Sequence, residues 1–101
     1  SFDVTIATYS AGTTRAYIKN TGSTRFDPDE LDIYIDGERI PRNGANRSIT
    51  VTSDTDTTNV GIWDPKEELE VEVYKTFSTS DTKIFLMSAP NGVTTEEEFS
   101  S

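Results

Sequence analysis

The stretch YIKNTGSTRFDPDELDIYIDGERI, Tyr17 to Ile40, holds two alternating apolar–polar runs and the turns that end them. The first run stops at Asn20-Thr21-Gly22-Ser23, where Asn and Gly tolerate the positive φ of a tight turn. An acidic loop follows and carries Pro28, which has no N–H to give to a ladder. Leu31, Ile33 and Ile35 then alternate with Asp32 and Tyr34, the period of a half-buried strand. Asp36-Gly37 is a hairpin signal, because a type I′ turn needs φ > 0 at both central residues. The stretch reads as a strand, a loop, and a strand with its short return, and none of its side chains is an evident catalyst.

The same pattern recurs on both sides of it. Phe2, Val4 and Ile6 alternate with Asp3, Thr5 and Ala7, and Gly12 breaks this first strand before Thr14–Asn20. Downstream, SITVTS turns Ile49 and Val51 inward, and NVGIW is expected to be a short strand. The cleanest alternation is LEVEVY, with Leu69, Val71 and Val73 against Glu70, Glu72 and Tyr74. KIFLMS, Lys83 to Ser88, is expected to be the final strand. Residues 1–92 therefore read as one domain, and residues 93–101, with their acidic TTEEEFSS run, as a solvated or frayed tail. Thr and Ser make up about a quarter of the chain, which suits antiparallel sheets with a wet face. No segment keeps helical periodicity. Seven to eight short antiparallel strands with turns between them predict an all-β, immunoglobulin-like β-sandwich, with a small barrel as competitor.

Composition narrows the chemistry. The 101 residues suit one domain. A net charge of −9 and a pI near 4.3 disfavour nucleic acid and anionic membranes, both of which are read by basic patches. No Cys and no His are present, so thiolate, disulfide and imidazole chemistry are excluded. No stretch reaches the roughly 20 apolar residues that span a bilayer. Asp27, Asp29, Glu30 and Asp32 cluster in one loop, and Asp54 and Asp56 in another, but neither has the spacing of a Ca²⁺ loop. They read as solvated turns, so no metal or cofactor is expected. Glu70 and Glu72 read as the wet side of a strand rather than an acid–base pair. Ser and Thr lack a His partner and a nucleophile elbow, so an enzyme is not expected. Trp63 reads as a packing residue, and Asn46-Arg47-Ser48 is the one N-glycosylation sequon, on Asn46.

KIFLMS is apolar on both faces, whereas a half-buried strand needs one. With Ile84 and Leu86 inward, Phe85 and Met87 form an outer stripe with Tyr74, expected on the partner strand of the same sheet. That stripe is either a protein contact or covered by the C-terminal tail. The candidate interface is Tyr74, Phe77, Ile84, Phe85, Leu86 and Met87.

AYIKNTGST, DPDELDIYIDGERI and IWDPKEELEVEVYK together resemble the soluble domains of the archaeal flagellin-related accessory proteins of the archaellum, the FlaF and FlaG kinds. The matching pieces run from about Tyr17 to Tyr74: the KNTGS turn, the LDIYIDGE hairpin and the Trp63-x-Pro65-x-Glu67-x-Leu69-x-Val71 approach to a strand. The resemblance implies an immunoglobulin-like, non-enzymatic domain of the motor stator, outside the archaeal cytoplasmic membrane. It also implies a membrane-anchoring N-terminal helix lying before Ser1. The implied partners are the domain itself, a related stator protein and S-layer protein. The two-sided final strand favours the FlaG kind, with the FlaF kind and archaellins as the other members. A different class stays open, a carbohydrate- or cell-surface-binding module in which Trp63 and the Tyr residues contact sugar.

Overall fold

Eight strands and one short 3-10 turn account for the computed structural model, which describes residues 1–101. In chain order they are β1 (Phe2–Ser10), β2 (Thr13–Asn20), the turn Pro28–Glu30, β3 (Asp32–Ile35), β4 (Glu38–Arg39), β5 (Arg47–Val51), β6 (Glu68–Tyr74), β7 (Thr82–Ser88) and β8 (Thr94–Ser100). They form two four-stranded antiparallel sheets, β1-β2-β6-β5 and β4-β3-β7-β8. The chain changes sheet after β2, β4 and β6, which is the Greek-key order of an immunoglobulin-like sandwich. No helix is long and apolar enough to cross a membrane.

The hairpin turns form where the sequence places them. Asp36 and Gly37 have φ of 49° and 82°, and Ala11 and Gly12 have 50° and 82°. Both pairs give the strand-matched twist of a type I′ loop. The Asn20–Ser23 turn works differently, since neither Asn20 nor Gly22 has positive φ. Asn20 is buried and serves as a bracket: Nδ2 donates to Thr24 O at 2.8 Å, and Oδ1 accepts from Gly22 N at 3.1 Å. Gly22 is required by space, because a Cβ there would lie 2.6 Å from the Ser1 nitrogen.

The core lies between the sheets. Ala16, Ile18, Leu69, Val71 and Val73 come from the first sheet, and Ile33, Ile35, Phe85, Met87 and Phe99 from the second. Trp63 closes one end, fully buried and stacked on Phe2 at 4.9 Å between ring centroids. Its Nε1 donates to Glu67 O at 2.9 Å. That satisfies the one polar atom of a large apolar group, and it confirms Trp63 as a sheet-end packing residue.

Several expectations are corrected. NVGIW is not a strand; only Trp63 bridges, to Phe26, within a series of turns. Ile6 faces solvent because a bulge between Val4 and Ile6 shifts the register, leaving Ala7 and Tyr9 to turn inward. The segment expected to fray is strand β8, paired with β7 along its whole length from Thr82↔Ser100 to Ser88↔Thr94. The sandwich therefore extends past residue 92. β7 is consequently an inner strand between β3 and β8, and it does not share a sheet with β6. Its faces are also the reverse of those expected. Phe85 and Met87 are fully buried, while Ile84 is 43% exposed and Leu86 half-buried. Register supplies the reason: Phe85 pairs with Ile35 and Met87 with Ile33, and both isoleucines already point into the core.

Candidate protein-interaction face

The outer surfaces of the two sheets differ in kind. On the first sheet, Arg15, Tyr17, Glu70, Glu72 and Tyr74 form a hydrogen-bonded polar lattice. Arg15 pairs with Glu72, Tyr17 Oη donates to Glu70 at 2.7 Å, and Tyr74 Oη donates to Glu72 at 3.2 Å. The Arg15 bond holds the Glu72 carboxyl below the usual range, and the Glu70 bond pushes the Tyr17 phenol up. Glu70 and Glu72 are thus the wet side of β6, as the alternation predicts. Tyr74 is committed to this lattice and lies on the opposite side of the sandwich from β7.

The outer surface of the second sheet has an apolar centre. Tyr34 on β3 lies beside Leu86 on β7, and Leu86 beside Glu96 on β8. One row away, Ile84 lies beside Glu98, and its N–H donates to the Asp36 carboxylate at 2.8 Å. Tyr34, Ile84, Leu86, Asp36, Gly37 and Glu96 surround one shallow recess. Glu96 and Glu98 border this centre on the β8 side. On the β4 side stands Arg39, directly across from Tyr34. Arg39 and Arg42 both reach one oxygen of Asp32, at 3.2 and 2.9 Å. The Arg42 hydrogen bond, with Arg39 adding to it, holds the Asp32 carboxyl below its ordinary value.

With Tyr74 on the first sheet, the other sequence-predicted interface residues divide three ways. Ile84 and Leu86 are surface residues of the second sheet. Phe85 and Met87 are core and unavailable to a partner. Phe77 sits at the β1–β8 side of the sandwich, 5.0 Å from the Tyr9 ring and 6.3 Å from that of Phe99, with the Lys83 ammonium 5.1 Å from its centroid. Sequence reasoning misses Tyr34 and the Glu96/Glu98 border; the period of β3 contains the signal for Tyr34, while the β8 segment reads in sequence as a tail. Asn46 is half-buried in the turn before β5, its carbonyl accepting from Tyr74 N at 2.9 Å.

The acidic loops have local structural work. Asp27 accepts from Asp29 N at 3.0 Å and caps the 3-10 turn, and Asp56 accepts from Gly61 N at 2.9 Å. The sugar-platform reading loses its main support, because Trp63 has no exposed face.

No protein-family model matches the chain, and no curated protein matches it in sequence. Solved structures do. The chain is similar to the archaellum periplasmic stator protein FlaG from Sulfolobus acidocaldarius, with a TM-score of 0.75, 21% identity and 98% of each chain covered. It is also similar to a chain of the archaellum periplasmic stator protein complex FlaF and FlaG from the same organism. There the TM-score is 0.73 and the identity 21%, over 97% of this chain and 87% of that one. The chain thus has the β-sandwich fold of these stator domains, from one end to the other.

Proposed function

We propose that this chain is a non-enzymatic assembly domain of the archaellum stator type, working outside the cytoplasmic membrane and joining other sandwiches of its kind. Fold alone does not assign function; the observation that carries the reading is the apolar centre on an otherwise charged surface. Tyr34, Ile84 and Leu86 lie between an arginine border and a glutamate border on one flat face. A two-fold axis along the strand direction lays β4 of one copy over β8 of the next, and so Arg39 over Glu96 and Glu98. Such a face is self-complementary, as an isologous contact requires. Each apolar side chain contributes roughly 1.5–3 kcal/mol if fully buried, against an association cost of about 4–15 kcal/mol. The contact is therefore weak for a lone pair of domains and favoured at the high local concentration of an assembly. A related stator domain carrying the same face is a partner of the same chemistry, and an S-layer protein is a further one.

Sedimentation velocity tests this over a concentration series, for the chain alone and mixed with a FlaF-type domain from the same source. The wild type is expected to form dimers or mixed complexes, and Ile84→Lys and Leu86→Lys to stay monomeric with an unchanged melting temperature. A wild type that is monomeric at millimolar concentration and binds no related domain rejects the reading.

A further inference from the structure

Asn46-Arg47-Ser48 straddles the turn that leads into β5, and the fold sets its three side chains apart. Arg47, the middle residue, opens β5 and is turned inward, only 7% exposed. Its Nη1 donates to Leu31 O at 2.6 Å and its Nη2 to Asp29 O at 3.5 Å. Strand alternation then sends the residue on either side of it outward. Ser48 pairs with Glu72 of the outer polar lattice, and it lines an open recess of about 560 Å³ at this corner. Continued by one residue, the Arg47↔Val73 register sets Asn46 across from Tyr74. The bond from Tyr74 N to Asn46 O, 2.9 Å, closes that pair.

Asn46 is fixed by its backbone and not by its side chain. Its N–H donates to Asn43 O at 3.1 Å and to Asn43 Oδ1 at 3.0 Å, while its carbonyl takes the Tyr74 N–H. The other asparagines, Asn20, Asn43, Asn59 and Asn91, each use the carboxamide to bracket a turn or bond a neighbour. The Asn46 carboxamide alone makes no hydrogen bond within the chain, and the Ser48 hydroxyl makes none either. The approach to it, Pro41 to Ala45, is exposed throughout.

We propose that Asn46 is an N-glycosylation site, carrying an oligosaccharide over the β5 side of the first sheet. A surface turn, an uncommitted carboxamide and a reachable hydroxyl two residues on are what the modification needs. The co-reactant is a lipid-phosphate-linked oligosaccharide, joined to the chain by a membrane transferase. The bond from Asn46 Nδ2 to the sugar C1 forms and the C1–O bond to the phosphate breaks. The lipid phosphate leaves with the electron pair, and one amide proton passes to a base of the transferase. Tyr74, 39% exposed, offers the first sugar a flat apolar ring beside the attachment point. β5 is an edge strand with neither Pro nor an inward carboxylate, the usual guards. A glycan rooted one residue before it shields that edge from a further strand. The Tyr34/Leu86 face belongs to the other sheet and stays uncovered. The inference rests on the location outside the cytoplasmic membrane proposed above, where such sequons are used.

Peptide mass spectrometry of the full chain purified from its native cells tests this. A membrane-impermeant lysine reagent applied to the intact cells reports which side of the membrane the chain occupies. The fragment holding Asn46 is expected to carry hexose or N-acetylhexosamine mass, localised to Asn46 by electron-transfer fragmentation. Asn46→Gln and Ser48→Ala should abolish that mass and Ser48→Thr should keep it, with the two Ser48 variants melting alike. An unmodified Asn46 in protein labelled from outside overturns the inference and spares the location. An unmodified Asn46 in protein that the reagent cannot reach overturns both. Sugar mass that survives Ser48→Ala, or that sits only on Ser or Thr, overturns the assignment to this site.

Discussion

Glu67 shows how one side chain holds a loop without regular structure. Its carboxylate is buried and accepts three backbone N–H groups, from Thr57 at 3.2 Å, Thr58 at 3.1 Å and Asp64 at 3.1 Å. Its own carbonyl receives the Trp63 indole. Glu67 thus gathers three separate points of the 52–67 segment, beside the Trp63–Phe26 bridge and the Asp56–Gly61 bond, and helps hold Trp63 in place. A Gln at this position keeps the shape but has one accepting oxygen, so at least one donor group is left without a partner. Glu67→Gln should cost about 1–3 kcal/mol, read by urea unfolding. A change below about 0.5 kcal/mol would show that water replaces the lost acceptor.

β8 is the element whose removal is most informative. Phe99 is buried, Thr95 and Glu97 are half-buried, and the strand covers the outer edge of β7. The inward-leaning Glu97 also discourages a further strand from adding to β8. Truncation after Gly92 removes Phe99 from the Phe77 cluster and leaves the β7 edge unpaired. Loss of one buried Phe alone costs about 3–5 kcal/mol, a large share of the roughly 5–15 kcal/mol typical of a domain. The truncated chain should be mostly unfolded or aggregated at 37 °C by circular dichroism and light scattering. A truncated chain that melts within a few degrees of the full one would mean that β8 is a dispensable tail after all. The inner position of β7 also explains why its two faces are both apolar: one fills the core and the other makes the centre of the candidate contact face.

The charge of the whole molecule sets its response to pH. At neutral pH the −9 charge opposes compaction, and carboxylates that protonate as pH falls toward the pI of 4.3 relieve it. Against this stand Asp32, Glu72 and Asp81, held below their ordinary values of 3.8, 4.5 and 3.8 chiefly by bonds from Arg42, Arg15 and Lys83. A carboxyl with a depressed folded pKa adds stability that is complete above its unfolded value and lost as pH falls through its folded one. The melting temperature should therefore hold or rise from pH 7 to about pH 5, then drop below about pH 4. Combining Arg15→Gln with Arg42→Gln should flatten the acid limb. A melting temperature that declines steadily from pH 7 to pH 5 would contradict the first half, and an unchanged acid limb in the double variant the second.

Local pattern was enough for the all-β class, the sandwich, the Asp36-Gly37 hairpin and the inward row Leu69, Val71 and Val73, because a period of two with one apolar face admits one orientation. It also identified Trp63 as packing, but it turned Ile84 and Leu86 inward and put the outer stripe on Phe85 and Met87, which the structure buries. It could not orient β7, where apolar residues occupy both faces and either register satisfies the pattern; pairing with Ile33 and Ile35 of β3 chose between them. Nor could it reveal β8, whose TTEEEFS has one large apolar residue and earns its place through ladder bonds to a strand on the far side of a turn. Arg47 reads in the sequence as an ordinary surface charge before a strand. Only the closing of two sheets over it makes it a buried cation, because burial there comes from elements distant in the chain.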